Sequence, residues 1–476
     1  MAELFARPYI LAGRKETEGT LKDLFSPGEN TPFERVYYAN EAVVEKAVSK
    51  TVKAFAVTRK LSTNKRVEIC RKVASGLERD TDRIAEDLAR EAGKPITLAK
   101  AEVSRAILTF NTAAEEASRI GGEVLNLDVA PDAEGVFGIT RRFPIGPVAA
   151  ITPFNFPLNL VAHKLAPAVA AGCPIVVKPA SATPLSALNL GHLLVQSGWP
   201  QEAISILPCS AAEATPLVED DRFKLITFTG SADVGWEIKS RAGKKRVALE
   251  LGGNAAAVVD ESADLDFAAR RCAIGGYAYA GQSCISVQRI FVHWNIKRKF
   301  LRLMLEEISR LKLGDIMSPE VLVGPMITED EAIRVEEWVK EAVDQGAHIL
   351  TGGNRKGAVY YPTLLTRVSP SMKVNCQEVF GPVVVVDSFD NWQEALDKVN
   401  DSDFGLQASV FTQDFERIMR AYEEIDVGGL VINDMPTYRV DPQPYGGSKD
   451  SGTGREGPRY SIETMTERKL LLIRRQ

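Results

Sequence analysis

Apolar positions recur at helical spacing through Glu41 to Val57, Lys65 to Glu78, Arg83 to Glu91 and Ala99 to Arg119, which predicts consecutive amphipathic helices toward the N-terminus. From Ile145 onward the period changes. Short β-branched runs at Val148 to Thr152, Ile175 to Lys178, Ile204 to Leu207, Leu225 to Thr229 and Val247 to Leu251 alternate with helical stretches, the sequence form of parallel βαβ units. A second series follows Gly253, at Ala255 to Val259, Gln288 to Val292, Val383 to Asp387, Ala408 to Thr412 and Gly429 to Ile432. The pattern predicts an α/β protein with two doubly wound parallel-sheet domains in tandem, changing over near Glu250 to Asn254, where Gly252 and Gly253 can act as a hinge.

Two stretches depart from this scheme. Val136 to Phe143 and Arg468 to Arg474 alternate in the β manner and carry arginine at their ends, so neither suits a buried parallel strand. Either they form an extended arm that pairs elsewhere, on a partner subunit, or they form an edge hairpin on one domain.

Composition narrows the function classes. A chain of 476 residues exceeds one hydrophobic core, and 45% apolar with 25% charged residues is the balance of a soluble globular protein. The net charge of −5 leaves no basic footprint for nucleic acid. Six cysteines, Cys70, Cys173, Cys209, Cys272, Cys284 and Cys376, lack metal-ligand or paired spacing, which favours reduced thiols and no metal. No stretch reaches membrane-spanning length and the start lacks a secretory pattern, so a cytoplasmic location is expected.

The candidate chemistry gathers on a few short runs. Cys284 lies in Gly281-Gln282-Ser283-Cys284, whose small residues let a substrate approach the sulfur, and the glutamates at 250 and 378 supply groups that a thioester cycle needs. Only four histidines are present, at 163, 192, 293 and 348, none in a cysteine-protease signature. Glu250, between Leu249 and Leu251, is either a carboxylate raised toward a useful base by apolar surroundings or a strand-end glutamate paired with Lys244, Lys245 or Arg246. In Thr152-Pro153-Phe154-Asn155-Phe156-Pro157, two prolines and two aromatics pin an asparagine, which suits an oxyanion donor better than a plain turn. Lys178 ends a buried strand and Gly230-Ser231 leads from a strand into a helix, both places where parallel sheets present cofactors, although the spacing departs from G-x-G-x-x-G.

Pro153-Phe154-Asn155-Phe156-Pro157, Lys178-Pro179, Phe228-Thr229-Gly230-Ser231, Glu250-Leu251-Gly252-Gly253, Gly281-Gln282-Ser283-Cys284, Glu378-Val379-Phe380-Gly381-Pro382 and Tyr445-Gly446-Gly447-Ser448-Lys449 occur in series. In this order they resemble the aldehyde dehydrogenase superfamily over nearly the whole chain. The resemblance implies a Rossmann-like nicotinamide-cofactor domain at 1–121 and 144–249, a catalytic domain at 250–445, and a β oligomerisation arm at 122–143 and 456–476 that builds a homodimer or homotetramer. It implies that Cys284 attacks the aldehyde, that the Asn155 side chain and the Cys284 amide hold the oxyanion, and that Glu250 activates water against the thioester. Cofactor contacts are implied for Thr152, Pro153, Phe154, Lys178, Ser181, Gly230, Ser231, Glu378 and Phe380.

Two departures from the family pattern stand out. Phe154 replaces a common tryptophan. Ser181 replaces a glutamate found in many NAD-specific members, so a 2′-phosphate meets no anion and NADP is expected to be accepted beside NAD. Thr437-Tyr438-Arg439-Val440-Asp441 is similar to the branch containing lactaldehyde, non-phosphorylating glyceraldehyde-3-phosphate and phosphonoacetaldehyde dehydrogenases. Arg105, His163 and Arg439 fall at channel positions and together suggest a small aldehyde with a phosphate, phosphonate or carboxylate tail. The alternatives are a neutral aldehyde, with Arg439 paired to Asp434 or Asp441 and Arg105 solvated, or a CoA-acylating enzyme, which has no need of Glu250.

Overall fold

The computed structural model describes residues 4 to 474; the outermost residues of the expected cofactor domain and of the expected arm, 1–3 and 475–476, lie outside the described residues. The four N-terminal helices form at Glu41–Thr58, Thr63–Arg79, Thr81–Ala92 and Ile96–Arg119. Local chemistry sets their ends: the Asn40 and Ser62 side chains accept the backbone N–H of Val43 and Lys65, and Gly93 closes the third helix in the left-handed region at φ 63°. Gly93 and Pro95 bracket Lys94, which the turn directs into the interior.

Five parallel strands make the middle of an eight-stranded sheet in the order Arg246–Glu250, Leu225–Thr229, Val148–Ile151, Ile175–Lys178, Ile204–Ile206. Antiparallel strands extend both edges, Gly452–Thr453 on one side and Tyr9–Leu11 with Arg14–Glu16 on the other. The chain fills one side from Val148–Ile151 outward, then returns to fill the other. Its direction therefore reverses between Val148–Ile151 and Leu225–Thr229, where a parallel sheet opens a crevice at its carboxyl edge. The loops carrying Asn155 and Ser231 leave from those two strands.

A second, seven-stranded sheet runs His348–Thr351, Thr363–Thr366, Val383–Phe389, Arg289–His293, Ala256–Val259, Gln407–Phe411, Gly429–Ile432, all parallel except the first. Its amino edge faces the site, because Cys284 and Glu378 precede Arg289–His293 and Val383–Phe389. Arg289 holds that edge together: its buried guanidinium donates to the carbonyls of Asn254, Lys398, Val399 and Asp401. The strands at His348–Thr351 and Thr363–Thr366, and those before Glu41, were not evident from the pattern.

The two arginine-ended stretches come together. Thr466–Arg474 and Val136–Pro144 pair antiparallel with each other, from Thr466 opposite Pro144 to Arg474 opposite Val136, and Val124–Asn126 adds a third strand. Neighbouring leucines on both faces stay uncovered, with Leu470, Leu471, Leu472 and Ile473 about half exposed. No helix among the described residues is long and apolar enough to cross a membrane.

Candidate active site

A cavity of about 810 Å³ lies between the carboxyl edge of the first sheet and the amino edge of the second. Its wall includes Pro153, Phe154, Asn155, Gly230, Ser231, Glu250, Cys284, Glu378 and Phe380 from the sequence expectation, together with Arg105 and Arg439. Thr152, Lys178, Ser181 and His163 lie off that wall.

Cys284 reaches the cavity through an unusual turn. Tyr279 (φ 53°), Ala280 (φ 53°) and Gly281 (φ 66°) are left-handed in succession, and for the first two the Cβ makes this costly, about 1–2 kcal/mol each. Surrounding contacts hold the strain: the Tyr279 hydroxyl donates to the Ala92 carbonyl at 3.0 Å and its N–H to the Leu322 carbonyl at 2.8 Å. A Cβ on Gly281 would sit 2.3 Å from the Gly381 carbonyl oxygen. The sulfur lies 3.0 Å from the Tyr445 hydroxyl. Burial pushes the thiol up to about 12, with the Tyr445 hydrogen bond pulling the other way.

Asn155 is braced from both sides. One N–H of its amide donates to the Gln282 carbonyl at 3.1 Å, which ties it to the Cys284 segment and leaves the second N–H available. Behind it, Lys94 donates to the Asn155 carbonyl at 2.6 Å, pairs with Glu102 and lies 3.8 Å from the centroid of the Phe156 ring. Glu102 in turn accepts the N–H groups of Leu158 and Asn159 at 3.0 Å each. The pattern gave no sign of this pair, since its members sit on different elements and meet only through the fold.

Glu250 is 5% exposed and its Oε2 has no hydrogen-bond partner among the described residues. Burial, then the nearby Glu456 charge, raises its carboxyl well above the usual range, which suits a proton acceptor. The basic residues before it point elsewhere: Lys245 reaches Glu219 and Asp221, and Arg246 reaches Thr464, Thr466 and Glu467. Glu456 itself is buried yet held below the usual carboxylate range, because Lys164 and Arg439 outweigh its desolvation.

The cavity wall carries further polar groups in Glu378 and Ser231, while Lys178 and Ser181 lie off it. Glu378 accepts the Gly253 N–H at 2.9 Å through Oε1, and burial raises its carboxyl to about 7. Gly252 lies so close that a Cβ there would fall 2.3 Å from Glu378 Oε2. Ser231 begins the helix Ala232–Arg241 without a side-chain cap, which leaves N–H donors and the positive end of the helix dipole facing the crevice. Lys178 makes one long contact, 3.4 Å to its neighbour's carbonyl. Ser181 reaches only the Cys209 carbonyl at 3.4 Å. Carboxylate, lysine, serine and helix start fit the hydroxyl-rich, phosphate-bearing body of a nicotinamide dinucleotide.

The three expected channel cations need correction. His163 is enclosed, and burial lowers its pKa despite Asp441, so it stands neutral with Nε2 at 2.8 Å from Asp441. Arg105 is paired although partly exposed: Nε and Nη2 donate to Asp441 at 3.1 and 2.9 Å, which leaves Nη1 without an acceptor among the described residues. Arg439 pairs neither with Asp434, taken by Arg271, nor with Asp441; Nη2 donates to Glu456 at 3.0 Å while Nε is buried without a partner. Asp441, which also accepts from Asn159, is the hub of this corner, and no pattern in the sequence singled it out.

Comparison with known proteins shows the family. Residues 14 to 471 match the model of the "Aldehyde dehydrogenase family". A 3-sulfolactaldehyde dehydrogenase of Priestia aryabhattai is 46% identical over 462 residues, covering 97% of this chain and 96% of that protein. The structure of aldehyde dehydrogenase 21 from Physcomitrella patens with the reaction product succinate superposes with a TM-score of 0.98 at 42% identity over 99% of each chain. A glyceraldehyde-3-phosphate dehydrogenase from Methanocaldococcus jannaschii complexed with NADP gives 0.92 at 35% identity, over 95% of this chain and 99% of that one.

Asp441 links stability to pH. The His163 hydrogen bond and the Arg105 guanidinium outweigh its burial and depress its pKa below the unfolded value near 3.9, so its contribution is fully present above that value and is lost as pH falls toward the folded pKa. Asp441→Asn is expected to cost about 3 kcal/mol at pH 7, with the gap to the native protein narrowing below pH 4. Urea unfolding at both pH values checks this; a gap that does not narrow contradicts it.

Proposed function

We propose that this chain, which belongs to the aldehyde dehydrogenase family, oxidises a small aldehyde with an anionic tail to the carboxylic acid, using NAD or NADP. The observation that carries the reading is the convergence of Cys284, Asn155 and Glu250 on one cavity that Arg105 and Arg439 also line. Cys284 adds to the carbonyl carbon, and the free Asn155 N–H with the Cys284 amide receives the oxygen as it gains charge. A bound nicotinamide supplies the acceptor for the aldehyde's hydride. Glu250 then takes a proton from water as that water attacks the thioester on Cys284, and the thiol is released with the acid.

For the cofactor we assign Glu378 and Lys178 to the two riboses, Ser231 and Gly230 to the pyrophosphate, and Thr152, Pro153, Phe154 and Phe380 to the nicotinamide side. Phe154 and Phe380 meet edge to face at 5.8 Å, a rigid apolar wall. Ser181 places no anion where a 2′-phosphate would lie. We divide the chain accordingly into a cofactor domain at 1–121 and 144–249, a catalytic domain at 250–445 and an assembly arm at 122–143 and 456–476. Six unpaired thiols fit a reducing, cytoplasmic compartment.

The substrate tail is argued from donors left open. Arg105 Nη1 and Arg439 Nε have no protein acceptor among the described residues, and a sulfonate or carboxylate supplies the oxygens they lack. The relatives named for sulfolactaldehyde and bound to succinate handle molecules with such tails.

Glu250→Gln is expected to retain a burst of about one reduced cofactor per site while steady turnover falls about 10²- to 10⁴-fold. In the native enzyme the post-burst rate should rise with pH as Glu250 loses its proton. Stopped-flow absorbance reads both, and loss of the burst itself would contradict the assignment. Arg105→Gln should raise KM for a sulfonated or carboxylated short aldehyde at least about tenfold with either cofactor while sparing a neutral one; equal effects on both would remove the anionic tail. The arm should build a homodimer or homotetramer, so Leu471→Glu with Ile473→Glu is expected to lower the mass seen in sedimentation, and an unchanged mass contradicts that use of the exposed strand.

A further inference from the structure

We infer that Tyr445 is a catalytic residue, whose hydroxyl donates the hydrogen bond that makes Cys284 a competent thiolate, under the influence of Arg439 stacked on its ring. The inference rests on Cys284 being the nucleophile. The Tyr445 hydroxyl lies 3.0 Å from Sγ, and it has no other hydrogen-bond partner among the described residues. Its proton is thus committed to sulfur once the thiol ionises.

The placement is rigid. Tyr445 is 4% exposed and packs with Ile285 and Leu406. Its backbone is clamped to Glu456 by reciprocal bonds of 3.0 and 2.6 Å. Arg439 stands 3.7 Å from the ring centroid, and Glu456 holds its guanidinium in turn at 3.0 Å. A cation on the face of a phenol draws electron density from the oxygen and makes the O–H a stronger donor.

The site needs such a donor. Burial, Glu378 and Glu250 all favour the neutral thiol, while Tyr445 and Arg439 oppose them. The cavity places no histidine on Cys284, so no imidazole supplies the usual pairing of a reactive cysteine. In the addition step the Cys284 proton leaves to solvent, a sulfur electron pair forms the C–S bond, and the carbonyl π pair moves onto oxygen. Tyr445 retains its proton throughout and stabilises sulfur until the bond has formed. Its effect belongs to the steps in which sulfur carries charge, the attack on the carbonyl carbon and the departure of sulfur from the acyl group.

The test is alkylation of the full-length enzyme by iodoacetamide as a function of pH, in a Cys376→Ser background so that the remaining half-exposed thiol is removed. Tyr445→Phe is expected to shift the alkylation midpoint alkaline by about one pH unit, with the cofactor-reduction burst about tenfold slower. Tyr445→3-fluorotyrosine, with a more acidic phenol, should shift the midpoint the other way, and equal thermal midpoints establish that all variants fold. Superimposable alkylation profiles for native, phenylalanine and fluorotyrosine proteins overturn the inference. If Cys284→Ala retains native turnover, the nucleophile assignment itself fails, a result distinct from a silent Tyr445.

Discussion

Two glycines without side chains allow the two sheets to share one site. Leu251-Gly252-Gly253 leaves the last parallel strand of the first sheet and enters the second, and both glycines sit against chemistry-bearing groups. A Cβ on Gly253 would fall 2.2 Å from the Cys284 carbonyl oxygen, as one on Gly252 would fall 2.3 Å from Glu378 Oε2. Side chains of any size there would drive the sheets apart. The pair is therefore less a free hinge than a contact surface, and Glu250, Cys284 and Glu378 meet because it is bare.

Around that contact the site is stiffened from outside. The strained turn before Cys284 is held by Ala92 and Leu322, and Asn155 by Lys94 and Gln282. A donor fixed in this way needs no reorganisation as charge develops, and the energy of holding it has been met during folding. The acid-base groups follow the same logic. Glu250 and Glu456 share one buried corner, but Glu456 has Lys164 and Arg439 and stays ionised, while Glu250 lacks a partner and favours its proton. Arg439 joins this corner to Tyr445 and so to the sulfur.

Much of this was legible in the sequence where function lies on contiguous residues. The parallel strands announced themselves as β-branched runs, and the Pro153–Pro157, Gly281–Cys284 and Glu378–Pro382 runs brought Asn155, Cys284 and Glu378 to one cavity. What failed was pairing at a distance. Arg105, His163 and Arg439 were read as three cations because charge is visible along a chain and neutralisation is not; Asp441 and Glu456 reach them only through tertiary structure. The arm stretches were correctly set apart as antiparallel, yet their pairing with each other needed the two termini of the interval, Val136 and Arg474, to be adjacent in space. Lys94 and Glu102, which no motif singled out, proved buried.

Catalysis depends on the unobstructed approach of Gly253 to Cys284. The direct measurement is kcat of Gly253→Ala, with folding followed by circular dichroism. Displacement of the Cys284 segment by an ångström or so predicts a folded protein with kcat lowered at least about 100-fold. A folded Gly253→Ala enzyme with near-native kcat would contradict the account.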